Sequence, residues 1–313
     1  MKFQISNFKF QIHPLADGAA VSKFEIRKSP IGNSRAFSLI EVMIVVSLLS
    51  LIVLALMAVF NSTQRAFRAS VTQSDVLEGS RAAMDLIASD LRGITPSDGV
   101  SNSSVNFCVL GNTNYSAGYV PLTQALPGGS VQRTNLLNYF FLLSRENTKW
   151  TGVGYVVDNT NSSSLFPLYR FYAETNLQSN PVYLFDNFFN AVAASQWTNM
   201  SRLLDGVVHL TVHAYDNSGT AINNSGLPPY NSALNTYFLP ATAFGEAQLY
   251  MFSNTVPASV ELELGVLEDQ VLQHAESLPT TLLQSNYLAG QSGSVHLFRQ
   301  RVSIPNFDPT AYQ

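Results

Sequence analysis

Residues 37–60 read FSLIEVMIVVSLLSLIVLALMAVF, an apolar run interrupted by one charge, Glu41, at its fifth position. As a helix these 24 residues extend about 36 Å, enough to cross a hydrocarbon core of about 30 Å with some tilt. A span has no need of a carboxylate, and a charge at the centre of a bilayer costs about 2.5–3.5 kcal/mol even on lenient insertion scales. A charge kept near the end of an otherwise clean span is therefore a candidate functional group.

The flanks orient the span. Residues 1–36 hold six basic residues (Lys2, Lys9, Lys23, Arg27, Lys28 and Arg35) against Asp17 and Glu25, a net of +4. The whole chain is −4, so residues 37–313 carry −8. Lys149 is the single lysine beyond residue 36. The positive-inside rule then places the N-terminus in the cytoplasm and the body outside the inner membrane. Charged residues make up 12 % of the chain, well under the roughly 25 % of soluble domains. With its many Asn, Ser, Thr, Tyr and Phe, the body reads as a β-rich extracytoplasmic domain. An acidic body argues against nucleic acid as a partner, since phosphates need clustered Lys and Arg. Cys108 is the lone cysteine, which excludes an intrachain disulfide, a zinc ribbon and a Cys-x-x-Cys redox pair. A buried free thiol is the expectation.

Two plainer readings of the span account for less of the sequence. A secretory signal peptide has an apolar region of about 7–15 residues followed by a small-residue cleavage site. Here the run is longer, and Asn61-Ser62-Thr63-Gln64-Arg65 leads into more helical sequence. A plain signal anchor explains everything except Glu41 and the Arg35-Ala36-Phe37 junction.

The basic leader ending SPIGNSRA, a small residue, Phe37, and a span with Glu at its fifth position resemble the N-terminal signature of type IV pilins and pseudopilins. The resemblance implies that a prepilin peptidase cuts between Ala36 and Phe37 and that Phe37 becomes the N-methylated first residue. It implies further that Glu41 pairs with the N-terminal ammonium of a neighbouring subunit and so fixes the stagger between subunits in a filament. The electrostatics agree: a carboxylate and an ammonium stabilise one another strongly at low dielectric, while each alone is costly. Ala36 stands where the family usually has Gly. Gly32 is a poor alternative, because a cut there leaves Glu41 in ninth place. The leader, residues 1–36, is long for the family.

Beyond the span no Pro or Gly other than Gly79 occurs before Gly93, so one helix is expected over 37–92. Residues 61–92 form its amphipathic continuation: Phe67, Val71, Leu77, Met84, Ile87 and Leu91 recur at three-, four- and seven-residue steps. That stripe is expected to be core, with its C-terminal half on the β-domain and its N-terminal half against other helices. Gly93 is placed as the C′ residue.

Residues 93–313 then read as strands and turns. Strands are expected at Val105–Leu110, Leu136–Ser144, Val153–Asp158 and Leu165–Glu174. After Asp205-Gly206, Val208, Leu210, Val212 and Ala214 alternate with His209, Thr211, His213 and Tyr215. Val260, Leu262, Leu264 and Val266 alternate with Glu261 and Glu263, which reads as a half-exposed antiparallel strand. Short helices are expected near 188–197 and 268–288, and a loop at Asn223–Asn235. The fold class is α+β: a long N-terminal helix, transmembrane then amphipathic, packed on a C-terminal antiparallel β-rich domain.

Helix followed by antiparallel sheet is similar to the pilin fold. SRAAMDLIASDLRG at 80–93, LLDGVVHLTVHAYDNSG at 203–219, TVPASVELEL at 255–264 and FRQRVSIPN at 298–306 resemble J-type minor pseudopilins of type II secretion and W-type minor pilins. The implied partners are prepilin peptidase, other pilins or pseudopilins, and an inner-membrane assembly platform.

No enzyme signature is present: no H-E-x-x-H, G-x-S-x-G, Walker or Rossmann pattern. His209 and His213 lie four apart on one strand face, expected to be exposed, with no third ligand nearby. Asp216-Asn217-Ser218-Gly219 lacks the downstream Glu of a calcium loop and reads as a β-turn. The expectation is a structural subunit with no catalytic residue, metal or cofactor. The alternative is a signal-anchored extracytoplasmic binding module or enzyme.

Overall fold

With no proline and one interior glycine between them, Leu39–Arg92 form a single helix, α1. The computed structural model describes residues 38–97, 104–111, 121–126, 128, 131–159, 165–176, 179–222, 230–231, 236–239 and 248–309. The chain divides into two units after Ser62, and α1 contributes to both.

In the first unit every described side chain is exposed. Ser47 Oγ donates to the Met43 carbonyl at 2.5 Å and Ser50 Oγ to the Val46 carbonyl at 2.8 Å. Each hydroxyl thus finds its partner one turn back within the helix, as a helix surrounded by lipid requires.

In the second unit the stripe expected on α1 divides. Phe67 and Val71 remain exposed, whereas Ser80, Ala83, Met84, Ile87, Ala88 and Leu91 are buried, a helical repeat of one inward face. Buried Ser80 is satisfied by donating to the Val76 carbonyl. The helix ends through a tightened turn, with Gly93 N–H donating to the Asp90 carbonyl and Ile94 N–H to that of Leu91. Gly93 is not in the left-handed conformation expected of a C′ glycine. Close packing explains it instead, since a Cβ there would lie 3.2 Å from the Asp90 carbonyl oxygen.

The sheet that receives α1 has strands β1 (Val105–Gly111), β4 (Asn138–Glu146), β5 (Lys149–Val157), β6 (Leu168–Asn176), β7 (Ser201–Leu204), β9 (Tyr230–Asn231), β10 (Thr236–Leu239) and β11 (Gln248–Phe252). Its order is β7-β6-β5-β4-β1-β11-β10-β9, antiparallel throughout. A second sheet orders β13 (Val295–Ser303), β12 (Ser259–Leu267) and β8 (Val207–Tyr215), and a hairpin pairs β2 (Leu122–Ala125) with β3 (Gln132–Asn135). β9 falls inside the expected Asn223–Asn235 loop, most of which lies outside the described residues.

One face of the large sheet, the C-terminal turns of α1 and the inner face of the three-stranded sheet share a core. Ile87 and Leu91 share this core with Phe107, Phe140 and Tyr155 of the large sheet and with Leu210, Val260, Leu262 and Leu264 of the small one. The opposite face of the large sheet carries α2 (Val182–Ala193) over Cys108, Tyr139, Phe141 and Phe171. α2 approaches closely because β5 offers glycines: a Cβ on Gly154 would sit 2.3 Å from Phe188, and one on Gly152 2.9 Å from Leu184. Cys108 is the expected buried thiol, its pKa pushed up by burial. The expected helices after residue 268 are α3 (Asp269–Glu276) and α4 (Thr281–Ala289), which cover Val208 and Leu267. The α+β class follows.

Candidate functional site

Glu41 occupies the first turn of α1. The helix begins where the Ser38 carbonyl accepts the Glu41 amide at 2.9 Å and the Val42 amide at 3.2 Å. A carboxylate at that end faces the positive pole of the helix dipole. Ile44, Val45 and Leu48 follow at three-, four- and seven-residue steps, so Glu41 heads an otherwise apolar face, and all four are exposed. Among the described residues no cation lies within ion-pairing distance of it. Ala36, Phe37 and the basic leader lie outside the described residues.

The segment Leu39–Phe67, 29 residues, is the one helix among the described residues long and apolar enough to cross a membrane. From Leu39 to Phe60 its large apolar side chains are half or more exposed. Left in water they forfeit about 25 cal/mol for each Å² of apolar surface, which a lipid environment restores.

Among the described residues no group of three or more His, Cys, Asp or Glu is placed to hold a metal ion. His209 departs from expectation: it is buried, 8 % exposed, whereas His213 is partly exposed. The cause is the segment before β4. Leu136 N–H donates to His209 Nδ1 at 3.2 Å, Leu210 N–H donates to the Leu136 carbonyl at 2.8 Å, and Leu137 bridges Leu210 in parallel. This lid was not legible from alternation within the strand. Burial pulls the His209 pKa below its usual value against the attraction of Glu263, whose Oε2 is 3.7 Å from Nε2.

Glu261 and Glu263 are likewise more covered than a half-exposed strand implies. β12 is the middle strand of its sheet, and Arg299 of β13 lies across both carboxylates, 2.5 Å from Glu261 Oε1 and 3.2 Å from Glu263 Oε1. Asp216 forms the expected turn, its Oδ1 accepting the amides of Ser218 at 2.9 Å and Thr220 at 2.8 Å, with Gly219 at φ +81°.

The residues that sequence reasoning passed over are Asp90, Tyr155 and Arg170. Arg170 of β6 donates to both Asp90 oxygens, at 2.8 and 3.1 Å, and Tyr155 of β5 donates to Asp90 Oδ2 as well. Burial lowers the Arg170 pKa, but the Asp90 hydrogen bond and charge outweigh it and the net shift is upward. Burial and the neighbouring Asp90 raise that of Tyr155. This network fastens the end of α1 to the sheet.

An α+β protein with one exposed apolar helix and a lone carboxylate at the start of that helix is of the single-pass membrane-anchored class. The model of the prokaryotic N-terminal methylation motif matches residues 31–57. The chain therefore carries the type IV pilin and pseudopilin signature, which supports a pilin-type subunit that prepilin peptidase processes and that assembles with other pilins. No curated protein and no solved structure matches the chain.

Proposed function

We propose that this chain is a minor pseudopilin or minor pilin, a structural subunit of a type II secretion or type IV pilus-type filament, and not an enzyme. The observation that carries the reading is the methylation motif over residues 31–57, which frames Glu41 at the fifth position after Ala36. In this reading the cytoplasmic leader, residues 1–36, is removed between Ala36 and Phe37. The new amino group on Phe37 is methylated, and the body lies in the periplasm. Glu41 then serves as half of an intermolecular pair, its partner being the Phe37 ammonium of the next subunit. Pairing relieves the cost that each charge bears alone in lipid, so subunits slide together until the two meet. Burial of the C-terminal turns of α1 in the body leaves the earlier turns, through Val71, available to neighbouring helices. The order of the 80–93, 203–219, 255–264 and 298–306 segments favours a J- or W-type subunit over a small major pilin.

Mass spectrometry of the mature N-terminus tests the reading. A chain that begins at N-methylated Phe37 supports it. A chain that retains the leader, or one cut beyond residue 60, overturns it in favour of a signal-anchored module.

A further inference from the structure

At Leu136–Asn138 the chain passes from β3 into β4, and on the way it runs along the free edge of β8. Three hydrogen bonds hold it there. Leu210 N–H donates to the Leu136 carbonyl at 2.8 Å, Val212 N–H to Asn138 Oδ1 at 3.1 Å, and Leu136 N–H to His209 Nδ1 at 3.2 Å. The first two are indifferent to pH. The third is not. A backbone N–H can only donate, so Nδ1 carries no proton while that bond exists, and a protonated imidazole has donors at both nitrogens and no acceptor.

The ring is closely seated. Gly265 of β12 lies opposite His209, and a Cβ there would sit 2.8 Å from the His209 Cβ. Nε2 lies 3.4 Å from Thr211 Oγ1 and 3.7 Å from Glu263 Oε2 of β12. Arg299 of β13 holds the other oxygen of Glu263 at 3.2 Å. Burial keeps the ring in its neutral form. Glu263 pulls the other way, while Arg133 of β3 and His213 of β8 reinforce burial.

The structure on either side of Leu136 is fixed by other bonds. Asn135 Nδ2 donates to the Leu122 carbonyl at 3.1 Å within the β2–β3 hairpin, and Gln124 Nε2 donates to the Leu288 carbonyl of α4 at 2.9 Å. Asn138 begins β4, which pairs with β1 and β5 inside the large sheet. A loss at His209 is therefore confined to the short stretch between hairpin and sheet.

We propose that the Leu136 segment is an acid-released latch: proton uptake by His209 frees its Leu136 end from β8 while both sheets stay folded. The added proton takes Nδ1 and faces the Leu136 N–H, two donors with no acceptor between them. The Nε2–H of the charged ring has a carboxylate within reach in Glu263, so the ring turns from the strap to β12. The Leu136 and Leu210 amides then open to water. The device lets the body respond to the acidity of its surroundings without unfolding.

The test is backbone hydrogen exchange of the full chain in detergent micelles, from about pH 7.5 down to the pH at which the His209 ring titrates by NMR. Each rate is divided by the intrinsic rate of that amide at that pH. Protection at Leu136 and Leu210 is expected to fall below about pH 6.5, about tenfold for each pH unit, and to level off where the ring titrates. Amides that pair β4 with β5 should keep their protection. His209→Asn offers an acceptor that does not titrate and should abolish the fall. Unchanged protection at Leu136 and Leu210, an equal loss across β4 and β5, or the same fall in His209→Asn overturns the proposal. Should that variant not fold, the unaltered chain decides the matter, because a fall that levels off away from the titration of the ring overturns it as well.

Discussion

Asp90 near the end of α1 and Arg170 near the start of β6, eighty residues apart in sequence, form a two-bond ion pair whose side chains are 16 % and 19 % exposed. It is the polar counterpart of the apolar core that Ile87, about one turn before Asp90, and Leu91, the next residue, share with the sheet. Removing one member strands the other charge at a largely buried position. Asp90→Asn should therefore lower unfolding stability by about 3 kcal/mol, the low end for a buried pair. Tyr155→Phe should lose about 1 kcal/mol, the worth of one hydrogen bond. Urea unfolding of the two single variants and the double variant checks this. Losses that simply add would deny that Tyr155 bonds to Asp90.

Gly154 lies beneath Phe188, with room for hydrogen only. Gly154→Ala is expected to destabilise by about 1–3 kcal/mol through overpacking, although alanine suits a strand backbone no worse than glycine. Pairing it with Phe188→Leu should recover part of the loss. If the single variant is as stable as the parent in thermal unfolding, α2 does not rest on β5 as described.

His209 accepts the Leu136 amide at Nδ1, which leaves the proton of a neutral ring on Nε2, toward Glu263 and Thr211. Burial first, then the positive field of Arg133 and of His213, lower its folded pKa against the pull of Glu263. A depressed pKa means that the unfolded chain takes up the proton first. The stabilising contribution is thus complete above the unfolded value of about 6.5 and declines as pH falls through it toward the folded value. The thermal midpoint of the parent should drop between pH 7 and pH 5 by more than that of His209→Asn, whose Oδ1 can still accept the Leu136 amide. Parallel pH profiles would remove His209 from the account.

Glu41 gives the last prediction. Glu41→Ala should insert in the membrane at least as well as the parent, since a charge is deleted from the span. It should lose co-purification with partner pilins. Glu41→Gln keeps the shape and the hydrogen-bonding capacity but not the charge, and it should behave like alanine. Partner recovery at the parental level with the glutamine variant would show that the charge does not set subunit registration.

Much of this protein was legible in its sequence because the responsible signals are local. A run without breakers gave α1 within two residues of its expected start and at its expected end. Strand alternation and Asn/Gly/Ser punctuation located β1, β4, β5, β6, β8 and β12, and the helices expected after 268 are α3 and α4, whereas the helix expected over 188–197 lies earlier, as α2 over Val182–Ala193. What escaped depended on neighbours distant in the chain. His209 alternates with valine and leucine as an exposed residue would, yet the Leu136 segment closes over it. Gly93 follows a helix as a C′ glycine would, but the chain is held by the Ile94–Ser144 bridge and by Asn306, which donates to the Ile94 carbonyl, and no left-handed turn is needed.

The sequence by itself determined the membrane-capable helix, its single carboxylate and the processing signature, because length, hydropathy and a fixed spacing from the cut are properties of a linear string. Only the tertiary structure decided which turns of that helix are buried, that Asp90 meets Arg170 and Tyr155, and that the Leu136 segment covers His209. Each of those outcomes turns on which strand lies beside which. Hydrogen bonds across a sheet and ion pairs between elements form between residues that sequence spacing does not relate.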